Sequence, residues 1–263
     1  MQAVFQITLH EKDLELLKLI KAFFKGVGKI DRNGKDAYQY RVYSMKDLAV
    51  IIAHFDKYSL ITQKQADYEL FKQVFDFISR KEHLTLSGLQ KLVAVRASMN
   101  KGLSDELKAA FPNITPVQRP LVKVPTDSIN PYWLAGFASG EACFFVNVAS
   151  NKSKARIWLR FQVNQHIRDE QLMRSLVEYL GCGHYYPQRY PDAGELIVEK
   201  FSGITDKIIP FFVKYPIRGV KALDFEDFQK VAEIMKVKGH LTESGSELIR
   251  IIKAGMNSKR EVK

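Results

Sequence analysis

The residues with the most chemical content lie in one stretch, Asn130-Pro131-Tyr132-Trp133-Leu134-Ala135-Gly136-Phe137-Ala138-Ser139-Gly140-Glu141-Ala142. Pro131 suits the first position of a helix, where its missing N–H leaves no hydrogen bond unmade. Ala135, Gly136, Ser139 and Gly140 recur at helical spacing and predict a bare stripe that lets another helix backbone approach closely. Glu141 falls at the C-terminal end of that helix, where a carboxylate opposes the helix dipole by about 0.3–1 kcal/mol. A divalent cation is one partner that offsets the penalty.

The elements around this stretch are duplicated. Phe5-Gln6-Ile7-Thr8-Leu9-His10 followed by Asp13 returns as Phe161-Gln162-Val163-Asn164-Gln165-His166 followed by Asp169. Each copy runs into an amphipathic helix, through Leu14, Leu17 and Ile20 or Leu172, Leu176 and Leu180, and each helix is expected to stop at glycines, Gly26-Val27-Gly28 or Gly181-Cys182-Gly183. Lys57-Tyr58 matches Lys214-Tyr215, His83-Leu84-Thr85 matches His240-Leu241-Thr242, and Met99-Asn100 matches Met256-Asn257, all at a nearly constant spacing. Such a register means an internal repeat. Thr85 and Thr242 are expected as helix N-caps, and His10, His83, His166 and His240, at repeated positions, as structural groups.

The second copy predicts a helix over 131–140, strands over 142–149 and 156–166 around a turn at 150–153, and a helix over 169–180. Strands near 184–189 and 195–200 flank a Pro-Asp-Ala-Gly turn, and helices follow near 203–212, 221–238 and 243–256. Pro112, Pro116, Pro120 and Pro125 mark a connection. The expected division is a first repeat over 1–111, a linker over 112–129 and a second repeat over 130–263.

Composition narrows the function. The 263 residues hold 40 Lys and Arg against 29 Asp and Glu, a net charge of +11 that points to a polyanionic partner. The two cysteines, Cys143 and Cys182, provide no disulfide framework and no zinc-ligand spacing. No signal peptide is visible and no apolar run reaches membrane-spanning length, so no membrane partner is expected. Gly26-Val27-Gly28-Lys29 lacks the remaining residues of a phosphate-binding loop and reads as a helix stop.

Leu134 through Glu141 resembles the signature helix of the LAGLIDADG homing endonucleases, with Ala142 where that pattern usually has glycine. The similarity spans nearly the whole chain and is nearest to the single-chain, two-repeat branch of fungal mitochondrial introns. It implies an α+β fold of tandem αββαββα repeats with pseudo-two-fold symmetry, whose curved antiparallel sheets form a saddle on double-stranded DNA. The implied activity is site-specific, metal-dependent double-strand cleavage, and the implied location is mitochondrial. Glu141 takes the metal-binding acidic position, with Gly140 beside it, for Mg²⁺ or another divalent cation. Gln165 matches a position that orders water, and Lys200 one that lies near the scissile phosphate.

The alternating strands supply the expected DNA contacts: Asn147, Asn151, Lys152, Lys154, Arg156, Trp158, Arg160, Tyr186, Gln188 and Arg189 in the second repeat. In the first they are Lys29, Arg32, Lys35, Tyr38, Tyr40 and Arg41. Aligning Phe5 with Phe161 places the counterpart of Asn130 well before Met1. The first repeat is therefore expected to be truncated, its signature helix and acid coming from upstream sequence or another chain. A non-cleaving nucleic-acid binder of the same fold, such as an RNA-splicing maturase acting on intron RNA or a decayed copy, is the alternative.

Overall fold

The computed structural model describes residues 2–124, 129–151, 154–190 and 192–260, without the side chains of 150–151, 154–155 and 188–190. It divides into two units, Met1–Val124 and Pro125–Lys263. Both are α+β, each an antiparallel sheet with helices on one face.

In the first unit β1 (Phe5–His10) leads into α1 (Leu14–Phe23), then β2 (Lys29–Arg32) and β3 (Ala37–Val42). The sheet order is β1-β3-β2. Phe5 pairs with Val42, Ile7 with Tyr40 and Leu9 with Tyr38, so these side chains share one face. That face packs on Leu17, Phe24, Leu48 and Ile51, the last two from α2 (Met45–Lys57). Behind it come α3 (Lys64–Ser79), α4 (Leu86–Ala97) and α5 (Asp105–Ala110). Residues 117–119 are pinned to this unit: the Val117 N–H donates to the Ala94 carbonyl, and Arg119 reaches Asp67.

The second unit opens with α6 (Pro131–Glu141), which passes directly into β4 (Ala142–Asn151), then β5 (Lys154–His166), α7 (Glu170–Leu180), β6 (His184–Tyr190) and β7 (Ala193–Val198). The sheet order is β4-β5-β7-β6. Phe144, Phe161, Phe212, Phe225 and Phe228 form one aromatic core beneath it. The predicted helix near 203–212 is α8 (Phe201–Gly203), a π turn over Ile204–Ile208 and α9 (Ile209–Lys214). Pro210 lacks the N–H that a regular helix interior requires, and the wider turn precedes it. The unit closes with α10 (Lys221–Lys236) and α11 (Glu243–Ala254).

The repeat extends to single hydrogen bonds. Thr85 Oγ1 accepts from Gly88 N at 3.0 Å and Thr242 Oγ1 from Gly245 N at 3.1 Å, as expected of N-caps. His10 and His166 each cap a short turn through Nδ1, accepting from Lys12 N and Arg168 N. Gly28 and Gly183 have φ of 74° and 89°, and a Cβ on either would strike the neighbouring strand at the Arg41 or Ile197 carbonyl. The helix stops differ between copies. α7 ends on left-handed Gly181, but α1 ends at Phe23 and the left-handed turn begins on Lys25, ahead of Gly26.

Each unit also contains a buried carboxylate clasp. Asp67 Oδ1 accepts from Asn100 N at 2.9 Å and Arg119 Nη1 at 2.8 Å. Asp224 Oδ1 accepts from Asn257 N at 2.9 Å and Arg260 Nε at 2.8 Å. Both asparagines are left-handed, with φ of 49° and 57°. Burial pushes the Asp67 carboxyl up, but Arg119, the Asn100 N–H and Lys64 outweigh it and hold the group below the usual carboxylate range.

Asp67→Asn is therefore expected to destabilise the protein by about 2 kcal/mol at neutral pH, because the half-buried Arg119 guanidinium loses its anion. A folded carboxyl that titrates below the unfolded one contributes fully above the unfolded value of about 3.9. Its contribution fades as pH falls through the folded value. Urea melts of both proteins at pH 7 and near pH 3 should show the gap closing in acid.

Candidate metal ligand and nucleic-acid interface

α6 is positioned at both ends. Asn130 Oδ1 accepts from Tyr132 N at 2.9 Å and Trp133 N at 3.4 Å, with Pro131 in the first turn. Leu134, Ala135 and Ala138 are buried. Glu141 is exposed at the last helical position, and Ala142, already in β4, pairs with Val163. Ala142 has φ −80° and ψ 156°, ordinary extended geometry, so its replacement of the usual glycine introduces no strain.

The small-residue stripe divides between two faces. Ala135 is buried, and Ser139 Oγ donates to the Ala135 carbonyl at 2.7 Å while accepting from Arg218 N at 2.9 Å. These two serve packing within their own unit, contrary to the expected single bare face. Gly136 and Gly140 are exposed, and a Cβ on either would meet no atom within 4 Å. One helical step separates the pairs, and that rotation carries 135 and 139 inward.

Gly140, expected beside the metal, has its carbonyl held by an ammonium: Lys221 Nζ lies 2.9 Å from Gly140 O and 3.4 Å from Ala138 O. A cation here meets the negative end of the helix dipole. The sequence does not single out Lys221, although Lys64 occupies its repeat position and would have marked it. Lys200 instead lies past the end of β7, two strands away from β4 in the sheet. It borders a cleft of about 440 Å³ together with Cys182, His184, Asp206 and Lys207. Gln165 stands on β5 two residues beyond Val163, so the register sets it beside the α6–β4 junction, and its Oε1 accepts from His166 N at 3.1 Å.

Among the described residues no cluster of three or more His, Cys, Asp or Glu side chains forms a cation cage. A single exposed carboxylate still fits Mg²⁺, which keeps much of its water and is completed by substrate phosphate oxygens.

The sheet faces opposite the helices are polar. In the second unit Asn147, Trp158, Arg160, Gln162, Asn164 and Tyr186 alternate with buried Val146, Leu159, Phe161 and Val163. Arg160 Nε donates to Glu199 Oε1 at 2.6 Å, and Gln162 Nε2 donates to Asn164 Oδ1 at 2.8 Å and to Glu195 Oε1 at 3.0 Å. Arg156 lies over the Trp158 ring. The expected residues Asn151, Lys154, Gln188 and Arg189 (for their side chains) and Lys152 (entirely) lie outside the described residues.

In the first unit the corresponding face carries Gln6, Thr8, Lys29, Asp31, Gln39 and Arg41, with Arg41 Nη2 on Asp31 Oδ2 at 2.6 Å. Tyr40 is not on it. That side chain is wholly buried, its hydroxyl donates to the Val27 carbonyl at 3.0 Å, and burial pushes its pKa up. Tyr38 packs on the same core face. Arg32, opposite Tyr38, shares that side at the sheet's edge and donates to the Lys35 carbonyl, while Lys35 is exposed beyond it. Gln6, Thr8, Gln162 and Asn164 were legible from the strict alternation beginning at Phe5 and Phe161, and Gln39 shares the face through its pairing with Thr8. Glu195 joins the face through its pairing with Asn164, and Glu199 through its bonds to Arg160 and Trp158.

The family model described as LAGLIDADG endonuclease matches residues 1–75 and 134–232. A Neurospora crassa protein named probable intron-encoded endonuclease 3 is 41% identical over 95% of this chain and 48% of its own length. Probable intron-encoded endonuclease 2 of the same organism is 40% identical over 93% of this chain and 56% of its own. The chain thus spans about half the length of these curated relatives. The crystal structure of the I-SmaMI LAGLIDADG homing endonuclease bound to cleaved DNA superposes with a TM-score of 0.95 at 44% identity, covering 99% of this chain and 88% of that one. That of I-GzeII in complex with its DNA target gives 0.93 at 43% identity, covering 99% and 90%.

The two faces of α6 should respond oppositely to substitution. Ser139→Ala is expected to destabilise by about 1 kcal/mol, since the Arg218 N–H loses its acceptor. Gly136→Ala is expected to stabilise by up to about 1 kcal/mol through helix propensity. Chemical denaturation of the two variants beside the parent reads both signs.

Proposed function

The chain belongs to the LAGLIDADG endonuclease family, and from that premise we propose that it is a site-specific DNA endonuclease that hydrolyses phosphodiester bonds with a divalent cation, Mg²⁺ first. The observation that carries this reading is Glu141, exposed where α6 meets β4, with Lys221 on the same helix end and Gln165 beside the junction. A carboxylate, an ammonium and an amide at the head of a polar sheet suit an anionic phosphodiester laid along that sheet.

Glu141 would hold the cation, which when bound lowers the pKa of its water and neutralises charge growing on the phosphoryl oxygens. Lys221 would set positive charge beside that phosphate, the role the resemblance gave to Lys200. The Gln165 amide would orient the attacking water, and Lys200, past the end of β7, would contact backbone phosphate. The open sheet faces would enter the major groove of duplex DNA, and the I-SmaMI and I-GzeII structures, solved with DNA, support a duplex partner. Intron RNA fits less well, because the narrow major groove of A-form RNA does not admit a sheet. The intron-encoded relatives support an intron origin, and the family resemblance a mitochondrial location.

Two strands require two acids. Among the described residues the signature helix occurs once, so the second acid would come on a further helix–strand segment docked on the first unit. That unit keeps counterparts of several contacts that hold α6 and β4. Tyr58 matches Tyr215, which meets the Tyr132 ring at 5.1 Å. Asn100 matches Asn257, whose Nδ2 donates to the Phe144 carbonyl, and Lys64 matches Lys221. β1 matches β5 and stands at the edge of its sheet.

Glu141→Gln is expected to abolish cleavage and leave duplex affinity unchanged, since the acid meets metal and not base edges; EDTA should do the same to the parent protein. Cutting by Glu141→Gln at the parent rate would sink the assignment. Lys221→Met should slow cleavage more than it weakens binding. Supplying a signature helix–strand segment in trans should convert nicking of one strand into scission of both, as read on a supercoiled plasmid.

A further inference from the structure

Among the described residues, Arg160 is the cation with the most contacts on the open face of the second sheet. Its Nε and Nη2 both reach Glu199 Oε1, at 2.6 Å each. The same oxygen accepts from Trp158 Nε1 at 3.2 Å, and the Trp158 ring lies under Arg156 at 5.4 Å. Nη1 reaches Gln162 Oε1 at 3.4 Å, and Gln162 is in turn bonded to Asn164 and Glu195. The guanidinium is therefore tied along its side edge, from Nε to Nη2. The end edge, with one N–H from each Nη, has no part in the carboxylate contact.

That geometry separates two uses of an arginine. Phosphate binding draws on net charge, and Glu199 beside the guanidinium cancels much of it. Reading a base draws on a fixed pair of parallel N–H donors, which the end edge offers and which the O6 and N7 atoms of guanine accept in the major groove. Holding the fork before the duplex arrives also removes the entropy of orienting a long side chain. Arg156, stacked on Trp158, has no such carboxylate among its described contacts and serves as the contrast.

We propose that Arg160, oriented by Glu199, is a specificity-determining residue that reads one guanine of the target, with Glu199 as its positioning residue. This rests on the reading of the sheet as the DNA-binding face. It predicts that the chain's strongest single-base preference in the half-site of this unit is for guanine, and that the preference depends on a residue that never touches DNA.

The test is binding of the full chain to a randomised duplex library at two salt concentrations in Ca²⁺, comparing the parent with Arg160→Lys, Glu199→Gln and Arg156→Gln. Arg160→Lys keeps the charge and loses the fork, so guanine preference at one position should fall about tenfold with the salt dependence unchanged. Glu199→Gln frees the guanidinium for phosphate, so the preference should weaken while the slope of log affinity against log salt steepens by about one. Arg156→Gln should lower that slope by about one and leave the base profile intact. Guanine preference surviving Arg160→Lys, or a Glu199→Gln protein identical to the parent in both readouts, overturns the assignment alone. A parent chain that binds no duplex at low salt overturns the DNA-face reading and this assignment with it.

Discussion

Glu141 and Ala142 are consecutive residues, the last of a helix and the first of a strand, and no loop intervenes. The backbone that carries the carboxylate is consequently fixed by the pairing of Ala142 with Val163 on one side and by the hydrogen bonds of α6 on the other. Everything assigned to chemistry depends on that junction. Lys221 reaches it because helix carbonyls end there, and Gln165 lies two residues along β5 from the Val163 that pairs with Ala142. A loop of even a few residues would decouple acid, ammonium and amide, since loop entropy would then set their separation.

The same packing devices brace the sheet in each unit. The Asp67 and Asp224 clasps tie a helix to the segment following the last long helix, and in the second unit Asn257 also holds the β4 backbone at Phe144. Around Asp67 the N–H donor and the guanidinium outweigh the cost of burial and favour the anion. Gly28 and Gly183 let the chain pass against a strand where no side chain fits. These are positional requirements, and they recur because both units solve the same packing problem.

Much of this was legible in the residues. The α6 boundaries, the N-caps at Thr85 and Thr242, and the repeat itself followed from local chemistry with short range. Alternation in β1 and β5 gave the polar face, but Tyr38 and Tyr40 break the correspondence between polarity and exposure. A tyrosine can bury its ring if its hydroxyl finds a carbonyl, as Tyr40 does at Val27. Lys221 and Lys200 show the opposite limit. Both are plain lysines at element boundaries, and only tertiary packing sets one against α6 and the other across the sheet. The clasps escaped notice for the same reason: Asp67 and Asp224 sit on amphipathic helices as any surface acid would, and their partners lie far along the chain.

The polar groups on the second sheet bond chiefly to one another. Arg160, Glu199 and Trp158 form one set, and Gln162, Asn164 and Glu195 form the next, joined through Gln162. Their backs rest on Leu159, Phe161 and Val163, which take no part in these bonds. Substitution at one of these positions will disturb its neighbours, so energies will not add. Useful variants of this surface will be found by exchanging such sets whole, with the hydrophobic layer beneath left as it is.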